Sequence, residues 1–158
     1  MISLRYTVFM ADAARAIIIE NDQMLLMHRS KEDQQYFTLV GGRRNEGETV
    51  EECLLREIRE ETGLEIINYY QVYYEPHTPP YNNQYIFVCT VAPHRGAVLQ
   101  EWSEEALLNK NIYKNNKHTP MWVPLKSFKS LAFRTPQLHE EIIKALKKGF
   151  PKDVKHLR

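Results

Sequence analysis

The stretch from residue 42 to 64, GRRNEGETVEECLLREIREETGL, contains the pattern that most constrains this chain. At about 100° per residue, Glu57, Glu60 and Glu61 share one face of a predicted helix. The same face begins with apolar residues, namely Val50, Cys53 and Leu54. A helix that served packing alone would carry apolar side chains where this one carries carboxylates.

The three carboxylates also lie in the last turn of the predicted helix, beside the negative end of its dipole. Each then costs about 0.3 to 1 kcal/mol, and like charges three and four residues apart add to that cost. A bound cation would offset the repulsion, and clustered carboxylate oxygens suit a hard divalent ion such as Mg²⁺ or Mn²⁺. The pattern therefore predicts a metal site built from Glu57, Glu60 and Glu61.

Length and composition are those of an ordinary globular protein. The 158 residues are expected to form one domain, residues 1–158, with 43% hydrophobic and 26% charged content. No apolar run approaches the roughly 18 residues of a membrane span, and neither a signal peptide nor a disulfide framework is indicated. We therefore expect a cytoplasmic protein without a membrane partner. The net charge of +1 disfavours a dedicated nucleic-acid binder.

Hydrophobic periodicity predicts groups of strands separated by helices. Strands are predicted at 2–9, 13–20, 24–29, 36–40, 64–74, 84–91 and 121–125, with a polar loop at 31–35. Thr49 with Glu52 forms a capping box and Gly63 is a stop signal for the central helix. Further helices are predicted at 103–108 and 137–148. This order favours an α+β or α/β fold, in which helices cover a central mixed sheet.

The stretch 42–64 resembles the Nudix box of the Nudix hydrolase family at every fixed position. Gly42 is followed after five residues by Glu48 and after seven more by the run REIREETGL, residues 56–64. The resemblance covers 23 of the 158 residues. Outside it, residues 36–42 and 121–125 are more loosely similar to the strand before the box and to a late Trp-containing strand. The resemblance implies a Nudix-like α/β/α sandwich.

The resemblance also implies a reaction. It is the metal-dependent hydrolysis of the pyrophosphate in a nucleoside diphosphate linked to another group, as in a nucleoside triphosphate, ADP-ribose, a sugar nucleotide or a dinucleoside polyphosphate. Glu57, Glu60 and Glu61 fall on the family's ligands for Mg²⁺ or Mn²⁺. One of them, or a loop glutamate, would orient or deprotonate the attacking water. Arg56 would hold a carboxylate, such as that of Glu48, by a bidentate pair.

Other residues are candidates for binding the substrate. Arg15 and Arg29 lie on the predicted hairpin strands, where the family often has phosphate-contacting arginines, although surface arginines fit equally well. Gly41 and Gly42 would let the backbone approach the site and expose its amides.

A late acidic residue is a further candidate for catalysis, since many members of the family have one. Glu101, Glu104 and Glu105 compete for this role, and a solvated loop acid is the alternative for each. Glu101 is our first choice because it directly follows an apolar stretch.

The substrate is not decided by the sequence. Six tyrosines lie between residues 69 and 85, where they could stack on a base, pack in the core or form a homodimer face. Pro80 and Tyr81 lie where the family has hints of ADP-ribose and of diadenosine polyphosphates respectively, so the two hints conflict.

Two alternatives to a small-molecule pyrophosphohydrolase remain. A non-catalytic nucleotide sensor would be expected to lose box carboxylates, and this chain keeps them all. An RNA 5′-end pyrophosphohydrolase would be expected to carry a basic stripe, which the near-neutral charge disfavours. The favoured partner is therefore a small-molecule nucleotide.

Overall fold

A computed structural model describes residues 12–77, 83–110 and 116–158 of the chain. Its strands are β1 (Ala13–Glu20), β2 (Gln23–Lys31), β3 (Gln34–Arg43), β4 (Ile66–Glu75), β5 (Gln84–Val91), β6 (Asn116–Pro124) and β7 (Lys155–His156). Its helices are α1 (Val50–Thr62), α2 (Glu104–Asn109), α3 (Leu125–Phe128) and α4 (Pro136–Lys148). The strand predicted at 2–9 lies outside the described residues, as do Pro80 and Tyr81.

The strands of the described ranges form one mixed sheet in the order β6-β2-β3-β1-β5-β4-β7. β1 pairs antiparallel with β3 on one side and parallel with β5 on the other. Leu54 and Ile58 of α1 belong to the core on one face of the sheet, and Leu138 and Ile142 of α4 belong to the second core. The predicted mixed sheet between helices is confirmed.

Pairing extends β3 beyond its predicted end at Val40. The prediction ended this strand at the glycines, but Gly41 and Gly42 lie opposite Arg15 and Ala14 of β1 and continue the ladder. The strand therefore carries both glycines underneath α1, which follows it in the chain. The predicted loop at 31–35 is shorter than expected, because β2 and β3 both extend into it and leave a turn in which Glu32 has a φ of 54°.

The late strand also differs from its prediction. β6 begins at Asn116, five residues before the predicted start, because it pairs antiparallel with β2 along its whole length. It ends at Pro124, and Leu125 begins α3. The earlier start matters for the site, since it adds His118 to the sheet opposite Arg29.

The central helix begins and ends where its signals predict. The Thr49 side chain accepts a hydrogen bond of 3.0 Å from the backbone N–H of Glu52. At the other end Gly63 has a φ of 73°, a left-handed conformation that would be strained for a residue with a side chain. These two ends set the extent of α1.

The tyrosines divide between core and surface. Tyr73 is 1% exposed, whereas Tyr69 and Tyr70 of the same strand are 42% and 50% exposed. Core packing thus accounts for Tyr73 but not for its neighbours. Over the described ranges, no helix has the length and apolar character that crossing a membrane requires.

Replacing Thr49 by alanine should lower the free energy of unfolding by about 1 kcal/mol, because the amide of Glu52 would lose its acceptor at the helix N-terminus. Urea denaturation of the two proteins measures the difference. Thr49→Ser keeps the hydroxyl and should retain most of the stability. An alanine variant as stable as the parent chain would contradict the capping role.

Candidate metal centre and substrate pocket

Three carboxylates from two helices meet above the sheet. Glu57 and Glu61 of α1 and Glu105 of α2 each offer an oxygen atom, and these oxygens lie within 4.8 Å of one another. Glu57 and Glu61 are 6% and 3% exposed. Among the described residues, Glu57 Oε2 and Glu105 Oε2 are buried and have no hydrogen-bond partner. Buried oxygens of this kind need a proton or a cation, and a group of three carboxylates suits a hard divalent cation.

The two glycines of β3 allow a close approach, Gly42 to a carboxylate and Gly41 to the neighbouring strand β1. A Cβ atom on Gly42 would lie 2.6 Å from the carboxylate carbon of Glu57. Gly41 has a φ of +131°, and its Cβ would lie 2.0 Å from the carbonyl oxygen of Ala14. The Gly41 N–H donates a 2.7 Å hydrogen bond to Glu61 Oε2. The prediction that Gly41 exposes its amide to a substrate is therefore corrected, since this amide is already bonded to Glu61.

Arg56 forms the predicted bidentate pair. Its Nε lies 2.7 Å from Glu48 Oε2, and its Nη2 lies 2.9 Å from Glu48 Oε1. Its Nη1 also donates to Glu57 at 2.9 Å and to Glu60 at 3.2 Å. The hydrogen bond from Arg56 holds the pKa of Glu48 below its ordinary value. Arg56 thus connects the loop before α1 with two of the predicted site carboxylates.

The three carboxylates that the structure brings together differ from the predicted trio, whose role as metal ligands stays a prediction. Glu57 and Glu61 meet Glu105, whereas Glu60 accepts its hydrogen bond from Arg56 and lines the same pocket. Glu101, our first choice for the late acid, is exposed and does not line the pocket. The physical reason is that α2 starts three residues after Glu101, so the helix rather than the preceding turn directs an acid inward.

Hydrogen bonds hold α2 in this position. At its start, the Ser103 hydroxyl accepts a 3.1 Å hydrogen bond from the Ala106 N–H. At its end, Asn109 accepts from the His118 N–H at 2.6 Å and donates to the His118 carbonyl at 2.8 Å. These bonds connect the helix that carries Glu105 to β6. A serine cap at the start of a short helix is the sequence signal that could have favoured Glu104 or Glu105 over Glu101.

The carboxylates suppress one another's ionisation. Burial, followed by the charge of Glu105, raises the pKa of Glu57 to about 7. The same two causes raise the pKa of Glu61 well above its ordinary value. Arg56 opposes the shift at Glu57, and Arg15 opposes it at Glu61. The site therefore favours the binding of a proton or a cation.

Cationic side chains line the same pocket. The carboxylates and both predicted arginines line one cavity of about 740 Å³. Arg15 donates to Gln84 Oε1 at 3.0 Å and to the Gly41 carbonyl at 2.7 Å. Arg29 donates to Asn116 Oδ1 at 3.0 Å. An acidic group and a basic group thus share one cleft, which suits a phosphate ligand accompanied by a cation.

Sequence reasoning missed several residues of this pocket, among them Gln84, His118 and Arg134. Gln84 orients Arg15, and its own amide donates to the buried Glu75 at 3.0 Å. No local pattern marks these positions. Gln84 reaches Arg15 because β5 pairs in parallel with β1, which is a contact between distant parts of the chain.

Comparisons with known proteins point to one family. The family model described as NUDIX domain matches residues 10–146. Two curated relatives, both named NAD-capped RNA hydrolase NudC, come from Photobacterium profundum and Vibrio vulnificus. They are 37% identical over 49 residues and 29% identical over 87 residues. The matches cover 31% and 55% of this chain, but they span only 18% and 33% of those proteins.

A solved structure extends the likeness to nearly the whole fold. It comes from a study of MutT from Aliivibrio salmonicida and Vibrio cholerae, and it matches with a TM-score of 0.61 at 14% identity. The match covers 89% of this chain and 98% of that chain. At this identity the likeness concerns the fold.

In the absence of metal, the free energy of unfolding should fall as the pH rises from about 4.5 to about 7. The pKa of Glu57 rises from 4.5 to about 7 on folding, so its contribution is fully present below pH 4.5 and is lost as the pH passes 7. The loss should be on the order of 3 kcal/mol. Urea denaturation in EDTA across this range measures it. Glu57→Gln should make the profile shallower, while the raised pKa of Glu61 keeps part of the slope. An equally steep profile in that variant would contradict the assignment.

Proposed function

Because this chain belongs to the NUDIX domain family of pyrophosphohydrolases, we propose that it hydrolyses a nucleoside diphosphate derivative with Mg²⁺ or Mn²⁺. The observation that carries the proposal is the meeting of Glu57, Glu61 and Glu105, with two buried oxygens lacking partners. The same cavity contains arginines suited to a phosphate. Such a cleft fits a pyrophosphate and a divalent cation together.

Glu57, Glu61 and Glu105 would hold the cation. When bound, it would neutralise charge on the phosphate oxygens and lower the pKa of a bound water. Glu60 lines the pocket beside this group, and its carboxylate is held by Arg56 at 3.2 Å. We assign to Glu60 the orientation of the attacking water. Arg56 acts through the two glutamates that it contacts, so it is a positioning residue.

The arginines would bind the phosphoryl oxygens. Arg15 is held by Gln84 and by the Gly41 carbonyl, so its guanidinium lies in a defined place beside Glu61. Arg29 lines the same cavity from β2. Positive charge fixed beside the carboxylates would stabilise the negative charge that develops on the phosphoryl group during attack.

The two alternative functions are less well supported. The carboxylate group is complete and buried, which a sensor that does not catalyse would not require. Hydrolysis at an RNA 5′ end is suggested by the names of the two relatives, but the matches span a third or less of those proteins. A small-molecule nucleotide therefore remains the favoured substrate.

A substrate panel tests the proposal directly. It should contain nucleoside triphosphates, ADP-ribose, sugar nucleotides, dinucleoside polyphosphates, NAD and NAD-capped RNA, each with Mg²⁺ and with Mn²⁺. Release of a nucleoside monophosphate, together with phosphate, pyrophosphate or a phosphorylated partner, would support pyrophosphate hydrolysis. Binding without turnover of any member would favour the sensor, and turnover of capped RNA alone would favour the RNA alternative.

Glu61→Gln should lower kcat by about 100-fold or more and weaken Mn²⁺ binding, because one oxygen ligand loses its charge. Steady-state kinetics and the electron paramagnetic resonance of free Mn²⁺ measure the two effects. Glu51→Gln changes an exposed glutamate of the same helix and serves as the matched control. Unchanged turnover in the folded Glu61 variant would exclude its role.

Replacing Glu105 and Glu101 one at a time tests which late acid α2 brings into the site. Glu105→Gln should lower both kcat and Mn²⁺ affinity by about 10-fold or more, because Glu105 lies in the carboxylate group. Glu101→Gln should leave both near the values of the unmodified chain, because Glu101 is exposed outside the pocket. The reverse ranking would restore Glu101 as the late acid of the site.

A further inference from the structure

Two buried nitrogen atoms lie at the end of the cavity formed by β2 and β6. Among the described residues, Arg29 Nε and His118 Nδ1 have no hydrogen-bond partner. The two residues are Cα partners in the antiparallel pairing of these strands, so their side chains project from the same face of the sheet. Both line the cavity, and His118 is 6% exposed. Buried polar atoms are seldom left unpaired, so a ligand is the natural partner.

Their chemistry indicates which atoms that ligand should present. A guanidinium has only donors, so Arg29 Nε requires an acceptor. Burial and the neighbouring Arg29 lower the pKa of His118 to about 4, so its ring is neutral near pH 7 and can donate from one nitrogen. An oxygen acceptor, or a group with two such oxygens, would satisfy both residues.

The surrounding charge favours an anionic group. Arg15 and Arg134 lie near enough to lower the pKa of Arg29, and Glu61 lies near enough to raise it. The acids that line the cavity all belong to α1, α2 or the loop before α1, namely Glu46, Glu57, Glu60, Glu61, Glu104 and Glu105. The end formed by β2 and β6 is therefore cationic, and an anionic oxygen would offset its charge.

The register of the sheet separates this end from the carboxylates. Arg29 lies opposite Tyr36 of β3, and Gly41, which binds Glu61, lies five residues further along that strand. At about 3.3 Å per residue, the two positions on β3 are roughly 16 Å apart. The arginine side chain covers part of this distance, and the Glu61 charge is close enough to raise the pKa of Arg29, so this end adjoins the carboxylates. The unpaired nitrogens thus lie where a substrate would extend beyond the pyrophosphate that is cleaved.

We propose that Arg29 and His118 form an oxyanion subsite for a phosphoryl group of the substrate that lies outside the scissile pyrophosphate. The inference rests on the proposed function, since the carboxylates define where cleavage occurs. It favours nucleoside triphosphates and dinucleoside polyphosphates over ADP-ribose and simple sugar nucleotides, which have no additional phosphoryl group. His118 is then a residue that determines specificity.

Two variants separate the ring nitrogen from the bulk of the side chain. His118→Leu removes the nitrogen, whereas His118→Asn keeps an amide nitrogen close to the position of Nδ1. Both keep the backbone N–H and carbonyl that Asn109 contacts. In EDTA, His118→Leu should bind inorganic triphosphate about 10-fold more weakly by calorimetry, and His118→Asn should bind it nearly as the unmodified chain does.

Kinetics with the metal provide a second readout. His118→Leu should lower kcat/KM for ATP about 10-fold relative to kcat/KM for ADP-ribose, chiefly through KM. A purely structural defect would lower both substrates alike, and that result would overturn the proposal.

Histidine ring ¹⁵N resonances, recorded in EDTA, identify what the subsite binds. Those of His118 should move on addition of inorganic triphosphate and stay in place on addition of adenosine. Movement with adenosine alone would identify a nucleobase site, and movement with neither would leave only water as the partner. Either result would overturn the proposal.

The subsite and the proposed function can fail separately. If the protein hydrolyses substrates of the panel and His118→Leu changes neither triphosphate binding nor kcat/KM, the subsite is rejected and the function is retained. Triphosphate binding that depends on His118, in a protein that hydrolyses nothing, would reject the function and retain the subsite.

Discussion

The burial of two glutamates against a glycine strand is the constraint on which the rest of this structure depends. Glu61 accepts the Gly41 N–H at 2.7 Å, and Glu57 occupies the space that a side chain on Gly42 would fill. Carboxylates are rarely buried without a partner. Continuation of β3 through both glycines, and the placing of α1 over them, are the conditions under which this burial becomes possible.

The same constraint brings acidic and basic side chains into one pocket. The acids come from α1, the loop before it and α2, whereas Arg15 and Arg29 come from the strands. Because the helices and the strands meet along one cleft, an anion bound to the strands faces the carboxylates directly. A metal ion between them would remove the repulsion that such a meeting creates.

The part of the site that could be predicted from the sequence is the part made by one helix. The positions of Glu57 and Glu61 follow from helical periodicity, and the Arg56–Glu48 pair joins residues only eight apart. Glu105, Gln84 and His118 could not be found in this way. They enter the site through the docking of α2 on β6 and through strand pairing across long separations, which no local pattern records.

The features of the fold also separate into those that local sequence signals predict and those that depend on distant partners. Strand positions and the ends of α1 follow from alternation, capping and glycine signals, whereas the early start of β6 and the length of β3 follow from their partners. The prediction of Glu101 meets a limit of this second kind, because the structure places this residue outside the pocket. A short helix after a polar turn was predicted, but the direction in which it would present its acids depended on Asn109 binding the backbone of His118.

The placement of Arg56 shows that the unfavourable charge at the centre is retained rather than neutralised. Its guanidinium contacts Glu48, Glu57 and Glu60 from the rim of the pocket, where its side chain is 26% exposed. An arginine between Glu57, Glu61 and Glu105 would relieve their repulsion and would also occupy the place of a cation. At the rim, Arg56 orients carboxylates and leaves two buried oxygens without a partner. The fold thus accepts a cost in stability at the position where a divalent ion would offset it.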